Sequence, residues 1–387
     1  KGPEYRQQVA ACAMKVQQYT APVEAKGVED TAFYRFHRLA SLNEVGSDPR
    51  RFGISVSAFH RANQDRARRC PHAMLSTSTH DSKRAEDVRA RIHVLSELSA
   101  EWRTHLQRWR RINRGKRSLV DSESAPSRND EYLLYQTLLG AWPLGTPDPA
   151  TLEAFRARIQ AYMLKAMREA KEHSSWINPK PAYEEAMAGF VSALMAGPET
   201  NPFLADFLPF QQRIGKLGML NSLTQTLLKL TVPGVPDLYQ GTELWDLSLV
   251  DPDNRRPVDW EARVRALGEV ERLTLPLGPS DAPVVRELLE QADDGRIKLH
   301  VIRQCLWLRR QQPERFTQGS YRPLAAKGAR EQHVLAFARN HGSETLVVIA
   351  GRLYAALTGA GARLPLGEVW GDTVVEVPAG ATELLNV

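Results

Sequence analysis

His80 and Asp81 are adjacent side chains whose types and position could support chemistry. They follow a Ser- and Thr-rich run at 74–79 that predicts a short strand, and they precede apolar residues at helical spacing from 85 to 98, which predict a helix. Barrel and open-sheet enzymes place their reactive groups on turns of this kind, at the carboxyl end of a parallel strand. The spacing therefore predicts a functional turn, with the alternative that Asp81 only caps the helix.

The next charged residues, Lys83 and Arg84, favour the functional interpretation. The predicted helix would have both cations in its first turn, where the helix dipole favours anions. Local sequence preferences such as this one are often violated at functional sites, so two cations at the helix start favour a functional role for the turn.

The run from Ser76 to Arg91, Ser-Thr-Ser-Thr-His-Asp-Ser-Lys-Arg-Ala-Glu-Asp-Val-Arg-Ala-Arg, resembles the malto-oligosyltrehalose synthase family of the alpha-amylase superfamily. The resemblance implies an α/β fold: the carboxyl-terminal part of a (β/α)8 barrel with a large helical insert and a C-terminal antiparallel β domain. It also implies that His80 and Asp81 are the catalytic pair after the seventh barrel strand. There, Asp81 matches the acid that holds two sugar hydroxyls, through hydrogen bonds that strengthen in the transition state.

The family converts the reducing-end α-1,4 bond of a malto-oligosaccharide into an α,α-1,1 bond, in trehalose biosynthesis. A retaining reaction normally takes a nucleophilic carboxylate and a protonated acid. The family draws these from strands four and five, and no motif for either occurs between 1 and 74. The resemblance therefore implies the carboxyl-terminal part of a longer enzyme, without the nucleophile and the acid. Its substrate would be a malto-oligosaccharide or linear α-1,4-glucan, and maltooligosyltrehalose trehalohydrolase would be its pathway partner.

Further residues are expected to contact the substrate. The run at 23–36, strand-like at first, and the run at 42–46 also match the family, beside the reacting sugars. The segment 173–183 offers an indole and polar groups to a sugar ring, and the loop 251–259 offers a charged rim. The expected substrate-binding residues are Lys83, Arg84, Lys26, Glu29, Asp30, Tyr34, Arg35, Trp176, Asn178, Lys180, Asp253, Asn254, Arg255 and Arg256. The alternatives are core packing for Tyr34 and Trp176, and a salt-bridged structural loop for 251–259.

Four structural units are expected along the chain. Residues 1–95 would form a barrel part around strands six and seven, and 96–212 a helical insert. Residues 213–313 would contain the last barrel strand and the closing helices. The β-branched runs after 313 predict an antiparallel β domain at 314–387.

Composition limits the other possibilities. The charged and hydrophobic fractions, 25% and 42%, are ordinary, and no apolar run is long enough for a membrane span. The basic run at 103–117 alternates with Trp and Leu at helical spacing, so an amphipathic helix is favoured over a polyanion surface, and no nucleic-acid motif supports the latter. Cys12, Cys70 and Cys305 lack metal-ligand spacing and suit a cytoplasmic protein, and no metal or cofactor is expected.

Two alternatives to the synthase activity remain open. One is an α-glucan hydrolase or 4-α-glucanotransferase of the same superfamily, which Lys83 and the large helical insert disfavour. The other is a noncatalytic module that binds glucan or a polyanion, for which Asp81→Asn would change nothing.

Overall fold

The structure, a computed structural model, describes residues 2–197, 200–273, 282–342, 344–359, 361 and 363–377. The helices are α1 (Pro3–Glu24), α2 (Val56–Arg69), α3 (Glu86–His93), α4 (Ser99–Ile112), α5 (Arg128–Ala141), α6 (Pro149–Ala170), α7 (Pro181–Met195), α8 (Pro202–Thr231), α9 (Trp260–Val270), α10 (Ala282–Glu290), α11 (Arg296–Gln311), α12 (Pro313–Thr317) and α13 (Tyr354–Thr358). The strands are β1 (Met74–Leu75), β2 (Ser118–Val120), β3 (Glu123–Ala125), β4 (Val235–Pro236), β5 (Ser320–Leu324), β6 (Ala326–Lys327), β7 (Val334–His341), β8 (Glu344–Gly351) and β9 (Val374–Val375). Among these helices, none has the length and hydropathy needed to cross a membrane.

Strands β1 and β4 form a parallel pair that positions the His80–Asp81 turn. Met74 pairs with Val235 and Leu75 with Pro236. The chain returns from α8 to β4 through Gly234, whose φ is +130° and whose missing side chain would lie 2.7 Å from the Leu75 side chain. The strand predicted at 74–79 is only two residues long, since pairing with β4 covers Met74 and Leu75 alone.

The helical region and the segments that flank it share one apolar core. The core extends from Tyr34 through α3, α5, α6 and α7 to Leu357. Helix α8 crosses position 212 without a break, since residues such as Ile214 and Leu217 continue its buried face. Residue 212, the predicted boundary between the helical insert and the next unit, therefore lies within α8 and not between two elements.

The C-terminal strands form an antiparallel sheet in the order β5-β7-β8, and β6 pairs with β9. Phe337 and Val348 of this sheet pack against Leu227 and Leu228 of α8. The Tyr321 hydroxyl lies 2.8 Å from Nδ1 of His60 on α2, which ties the sheet to the preceding region. Residues 378–387 of the β domain expected from the sequence lie outside the described part of the chain.

The segment 23–36 is not a strand, contrary to the sequence expectation. Helix α1 continues through Pro22 to Glu24 and passes into a π-helical turn at Ala25–Glu29. A 3-10 turn follows at Ala32–Tyr34. The alternation at the start of this run was too short to distinguish a strand from a helix end.

Candidate functional site

His80 and Asp81 lie on the exposed turn between β1 and α3. Their side chains are 61% and 70% exposed, and His80 Nε2 lies 3.4 Å from Asp81 Oδ2. Asn254 steadies the turn, since its side-chain amide donates to the His80 carbonyl oxygen at 2.7 Å. The N-cap of α3 is Ala85, which makes no side-chain cap, so Asp81 does not cap the helix. Both side chains are accessible to a ligand.

The charge conflict expected at the start of α3 does not exist. Lys83 and Arg84 precede the helix, and the acidic residues Glu86 and Asp87 occupy its first turn. The buried Glu44 carboxylate accepts hydrogen bonds from the main-chain N–H groups of Lys83, at 2.9 Å, and Arg84, at 3.3 Å. A carboxylate 39 positions upstream thus binds this segment just before the helix.

The Lys83 ammonium is held beside the turn by an acid. Its Nζ donates to Asp30 Oδ1 at 2.7 Å, and Lys26 Nζ donates to the other oxygen of Asp30 at 2.5 Å. Burial opposes ionisation of Asp30, but the hydrogen bonds from Lys26 and Lys83 outweigh it and lower the pKa of this carboxyl group. The three side chains therefore form a cationic group with a net charge of about +1.

Arg84 and Tyr34, which were also expected to contact the substrate, are buried. Arg84 is 2% exposed and donates to the Ala40 carbonyl at 3.1 Å and to the Tyr162 hydroxyl at 2.7 Å. Burial raises the pKa of Tyr34 well above its usual value, so the phenol stays neutral. Neither side chain offers surface to a sugar, and both support the segments that carry the exposed residues.

Helix α6 presents a polar stripe that sequence reasoning missed. Arg158 makes two hydrogen bonds of 2.8 Å to the Asp253 carboxylate, and Lys165 Nζ donates to the main-chain oxygen of Asp251 at 2.6 Å. Tyr162, which bonds Arg84, belongs to the same stripe. The spacing of Arg158, Tyr162 and Lys165 along one helical face was the sequence pattern that could have indicated this stripe.

The loop 251–259 is internally paired, as its structural alternative predicted. Arg255 pairs with Asp251, and Arg256 Nε lies 3.1 Å from Asp253. Both guanidinium groups remain more than half exposed, so they also present donors to solvent.

Two of the expected residues on 173–183, Trp176 and Lys180, have partners outside the His80–Asp81 turn. Trp176 is 54% exposed, so it is not packed between helices; its indole donates to Glu169 at 3.1 Å. Lys180 pairs with Asp121 on the β2–β3 turn at 2.6 Å, and the Asn178 side chain is exposed.

Two residues of the 23–36 segment that were expected to contact the substrate form hydrogen bonds to main-chain groups of other segments. Arg35 Nε donates to the Ala170 carbonyl at the end of α6, at 2.5 Å. Glu29 accepts from the main-chain N–H of Gly46 at 3.0 Å. These contacts bring the segments 23–36 and 42–46 together and join the first of them to α6.

A buried charge cluster of Glu86, Asp87, Lys229 and Lys298 lies at the start of α3. Lys298 Nζ is 2.7 Å from Glu86 and 2.9 Å from Asp87, and Lys229 is 3.4 Å from Glu86. Burial would raise the pKa of Glu86, but the charges of Lys298 and Lys229 lower it to about 2. At Asp87, burial raises the pKa more than Lys298 lowers it. No sequence pattern predicted this cluster, because its two lysines lie on helices far from α3 in the chain.

The chain is similar to known proteins over most of its length. A Mycobacterium tuberculosis protein with the provisional name maltooligosyl trehalose synthase is 38% identical over 369 residues, 95% of this chain and 41% of the relative. The solved maltooligosyltrehalose synthase of Arthrobacter ramosus is 38% identical, with a TM-score of 0.73 over 94% of this chain and 42% of that one. A hypothetical maltooligosyl trehalose synthase of Sulfolobus tokodaii is 34% identical, with a TM-score of 0.71 over 90% and 43%. No protein-family model matches the chain.

The chain is homologous to maltooligosyltrehalose synthases. This finding confirms the family resemblance of the run at 76–91. The chain spans about two fifths of the length of these synthases, so it corresponds to one segment of them.

Proposed function

We propose that this chain forms the carboxyl-terminal (β/α)8 portion of a maltooligosyltrehalose synthase and contributes His80, Asp81 and Lys83 to the site. The observation that carries the proposal is the exposed His80–Asp81 pair after parallel strand β1, in a chain that matches synthases over 95% of its length. The reaction would convert the reducing-end α-1,4 bond of a malto-oligosaccharide into an α,α-1,1 bond, as an intramolecular transfer.

Asp81 and His80 suit the sugar whose bond breaks. An exposed carboxylate accepts hydrogen bonds from two neighbouring hydroxyls, and the adjacent imidazole donates to a third oxygen. These bonds strengthen as positive charge develops on the sugar ring, which lowers the barrier. The nucleophile and the acid would come from the part of the longer relatives that this chain does not match.

Lys83 suits the glucose that is released and rejoined. Its ammonium has three donors, of which Asp30 engages one at 2.7 Å; the Lys83 side chain is only 8% exposed, so the remaining donors would face a glucose only in the closed site beside the turn. A fixed donor beyond the cleaved bond would keep glucose in place and exclude attack by water. Trp176, Asn178 and Arg255 would contact more distant sugar units. The maltooligosyltrehalose so formed would pass to a trehalohydrolase.

The test is a chimera in which these 387 residues replace the matching segment of the M. tuberculosis relative. With maltopentaose, the chimera should remove reducing ends without releasing glucose. Asp81→Asn should depress conversion and glucose release together. Lys83→Ala should raise the ratio of glucose release to conversion about ten- to a hundredfold, since it loses a charge-assisted hydrogen bond worth about 1.5 to 3 kcal/mol.

Lys26→Ala is the matched control for Lys83→Ala, since Lys26 pairs with the same Asp30 carboxylate but is largely exposed. It should leave the ratio within about twofold. A chimera that only releases glucose would instead identify a hydrolase, and disproportionation of maltopentaose would identify a glucanotransferase. A folded chimera that binds maltopentaose without any conversion would favour the noncatalytic module.

A further inference from the structure

Helix α1 carries an apolar stripe that the described part of the chain leaves open to solvent. The α1 stripe consists of Val9, Cys12, Val16, Tyr19 and Val23, whose spacing of three and four residues places them on one side of the helix. None of the described residues of α1 is buried, and Tyr19 is 73% exposed. An amphipathic helix of a globular protein normally packs its apolar stripe against other elements. The α1 stripe therefore has the properties of a surface that a partner covers.

Exposed apolar residues are concentrated in the same part of the chain. Nearly half of the exposed large apolar residues that the structure describes lie at positions 5–74, which make up about a fifth of the sequence. Met74 of β1 and its pairing partner Val235 of β4 are 71% and 42% exposed, although parallel strands are normally covered on both faces. Single exposed apolar residues are common, but their concentration indicates a protein interface larger than one helix.

The position of α1 relative to Lys83 indicates which protein surface covers the stripe. Helix α1 passes directly into the π-helical turn Ala25–Glu29, and the next residue, Asp30, accepts a hydrogen bond from Lys83 at 2.7 Å. The α1 stripe therefore ends close to the proposed site. The polypeptide that supplies the nucleophile and the acid would have to reach this site, so it would lie next to α1.

The length of the matched synthases favours this partner over a second copy of the chain. The chain spans 41% to 43% of these proteins, so each contains further polypeptide that is longer than this chain. That amount of protein is sufficient to cover both α1 and the β1–β4 pair. A second copy that pairs through α1, as in a coiled coil, would cover only the helix and not Met74 or Val235.

We propose that the α1 stripe is the docking surface for the part of a maltooligosyltrehalose synthase that this chain does not match. The partner surface would be apolar where it faces Cys12, and docking would exclude solvent from the thiol. The proposal rests on the proposed function, because it takes the chain as one portion of a synthase. It assigns the helix face through which that portion joins the rest of the enzyme.

The experiment compares maleimide labelling of Cys12 in the 387-residue chain and in the chimera with the M. tuberculosis relative. Cys12 is exposed in the chain and should react readily. In the chimera its labelling rate should fall about tenfold or more, because reaction requires access to the thiol. Mass spectrometry of the tryptic peptide 7–15 measures this rate. Equal rates for Cys12 in the two proteins would overturn the proposal.

Met14→Cys in a Cys12→Ser background is the matched control, since residue 14 lies on the opposite side of α1 and in the same tryptic peptide. Met14 is 58% exposed, and docking through the α1 stripe would leave its side of the helix open. The labelling rate at this position should therefore agree within about twofold between the chain and the chimera. Equal protection at positions 12 and 14 would show that docking does not select the stripe.

Val16→Asp places a carboxylate in the stripe, and Met14→Asp places one on the opposite side of the helix. Both positions are exposed, so neither change should lower the urea midpoint of the 387-residue chain. In the chimera, Val16→Asp should restore Cys12 labelling to its rate in the 387-residue chain with the same substitution, because burial of an unpaired charge is unfavourable. Met14→Asp should leave Cys12 protected. Protection of Cys12 in both variants would refute docking through the stripe.

Two outcomes separate this proposal from the proposed function. A chimera that converts maltopentaose while Cys12 stays reactive would overturn the docking surface and leave the synthase activity intact. A chimera with protected Cys12 and no conversion would support the docking surface and contradict the activity.

Two further measurements cover the remaining cases. If the chimera does not fold, cysteines at the positions aligned with 12 and 14 in the full-length M. tuberculosis relative give the same comparison, and equal labelling there would overturn the proposal. Labelling of Cys12 that slows as the 387-residue chain is concentrated would identify a second copy as the occupant, which would also overturn it.

Discussion

Replacement of Lys298 by methionine tests whether the buried charge cluster holds the start of α3 in place. The Lys298 ammonium is fully buried, 2.7 Å from Glu86 and 2.9 Å from Asp87. Methionine keeps most of the apolar stem but removes the charge, which leaves Glu86 with Lys229 at 3.4 Å and leaves Asp87 without its lysine partner. Loss of one partner of a buried ion pair costs about 3 to 5 kcal/mol. We expect the free energy of unfolding to fall by about that amount.

The assay is urea unfolding at pH 7, followed by tryptophan fluorescence. Lys216→Met, at an exposed position of α8, is the control and should change the free energy of unfolding by less than about 0.5 kcal/mol. The addition of Asp87→Asn to Lys298→Met should recover part of the loss, because it removes a buried charge that lacks its partner. A loss no larger than that of Lys216→Met would refute the conclusion that these charges stabilise the fold.

Two further perturbations follow from the same region. The pKa of Glu86 is lowered from 4.5 to about 2 in the folded chain, so the stability contributed by its ionised form is present above pH 4.5 and lost as the pH falls toward 2. The difference in unfolding free energy between wild type and Glu86→Gln should therefore shrink across this window in acid titrations, and a constant difference would contradict it. Gly218→Ala would place a Cβ 2.8 Å from the Arg91 Cα and should cost about 1 to 3 kcal/mol by urea unfolding. Gly189→Ala, at an exposed helical position with open space around it, should instead stabilise by up to about 1 kcal/mol, and equal effects would refute the steric argument.

The residues expected to contact the substrate differ in how deeply they are buried. The local sequence does not determine which of these side chains are buried. Lys26, Lys83 and Asp30 form one ion-paired group, and this grouping depends on a π-helical turn that the alternation at 23–36 did not indicate. Arg84 and Tyr34 have the residue types of a sugar site, yet they are buried, as is Lys83. Side-chain type alone does not distinguish a residue that contacts the substrate from one that holds neighbouring segments in place, because both use the same hydrogen-bonding groups.

The sequence by itself determined the local features: the turn at His80 and Asp81, the helices at helical apolar spacing, and the β-branched strands after residue 313. These depend on periodicity and turn chemistry, which act within a few residues. Only the tertiary structure decided where α3 begins: the Glu44 carboxylate accepts the N–H groups of Lys83 and Arg84, the Ser248 carbonyl accepts that of Ala85, and Arg84 forms a β-bridge with Leu249. It also decided that Lys229 and Lys298 neutralise the first turn of α3, since desolvated charges take their partners from whichever helices pack against them.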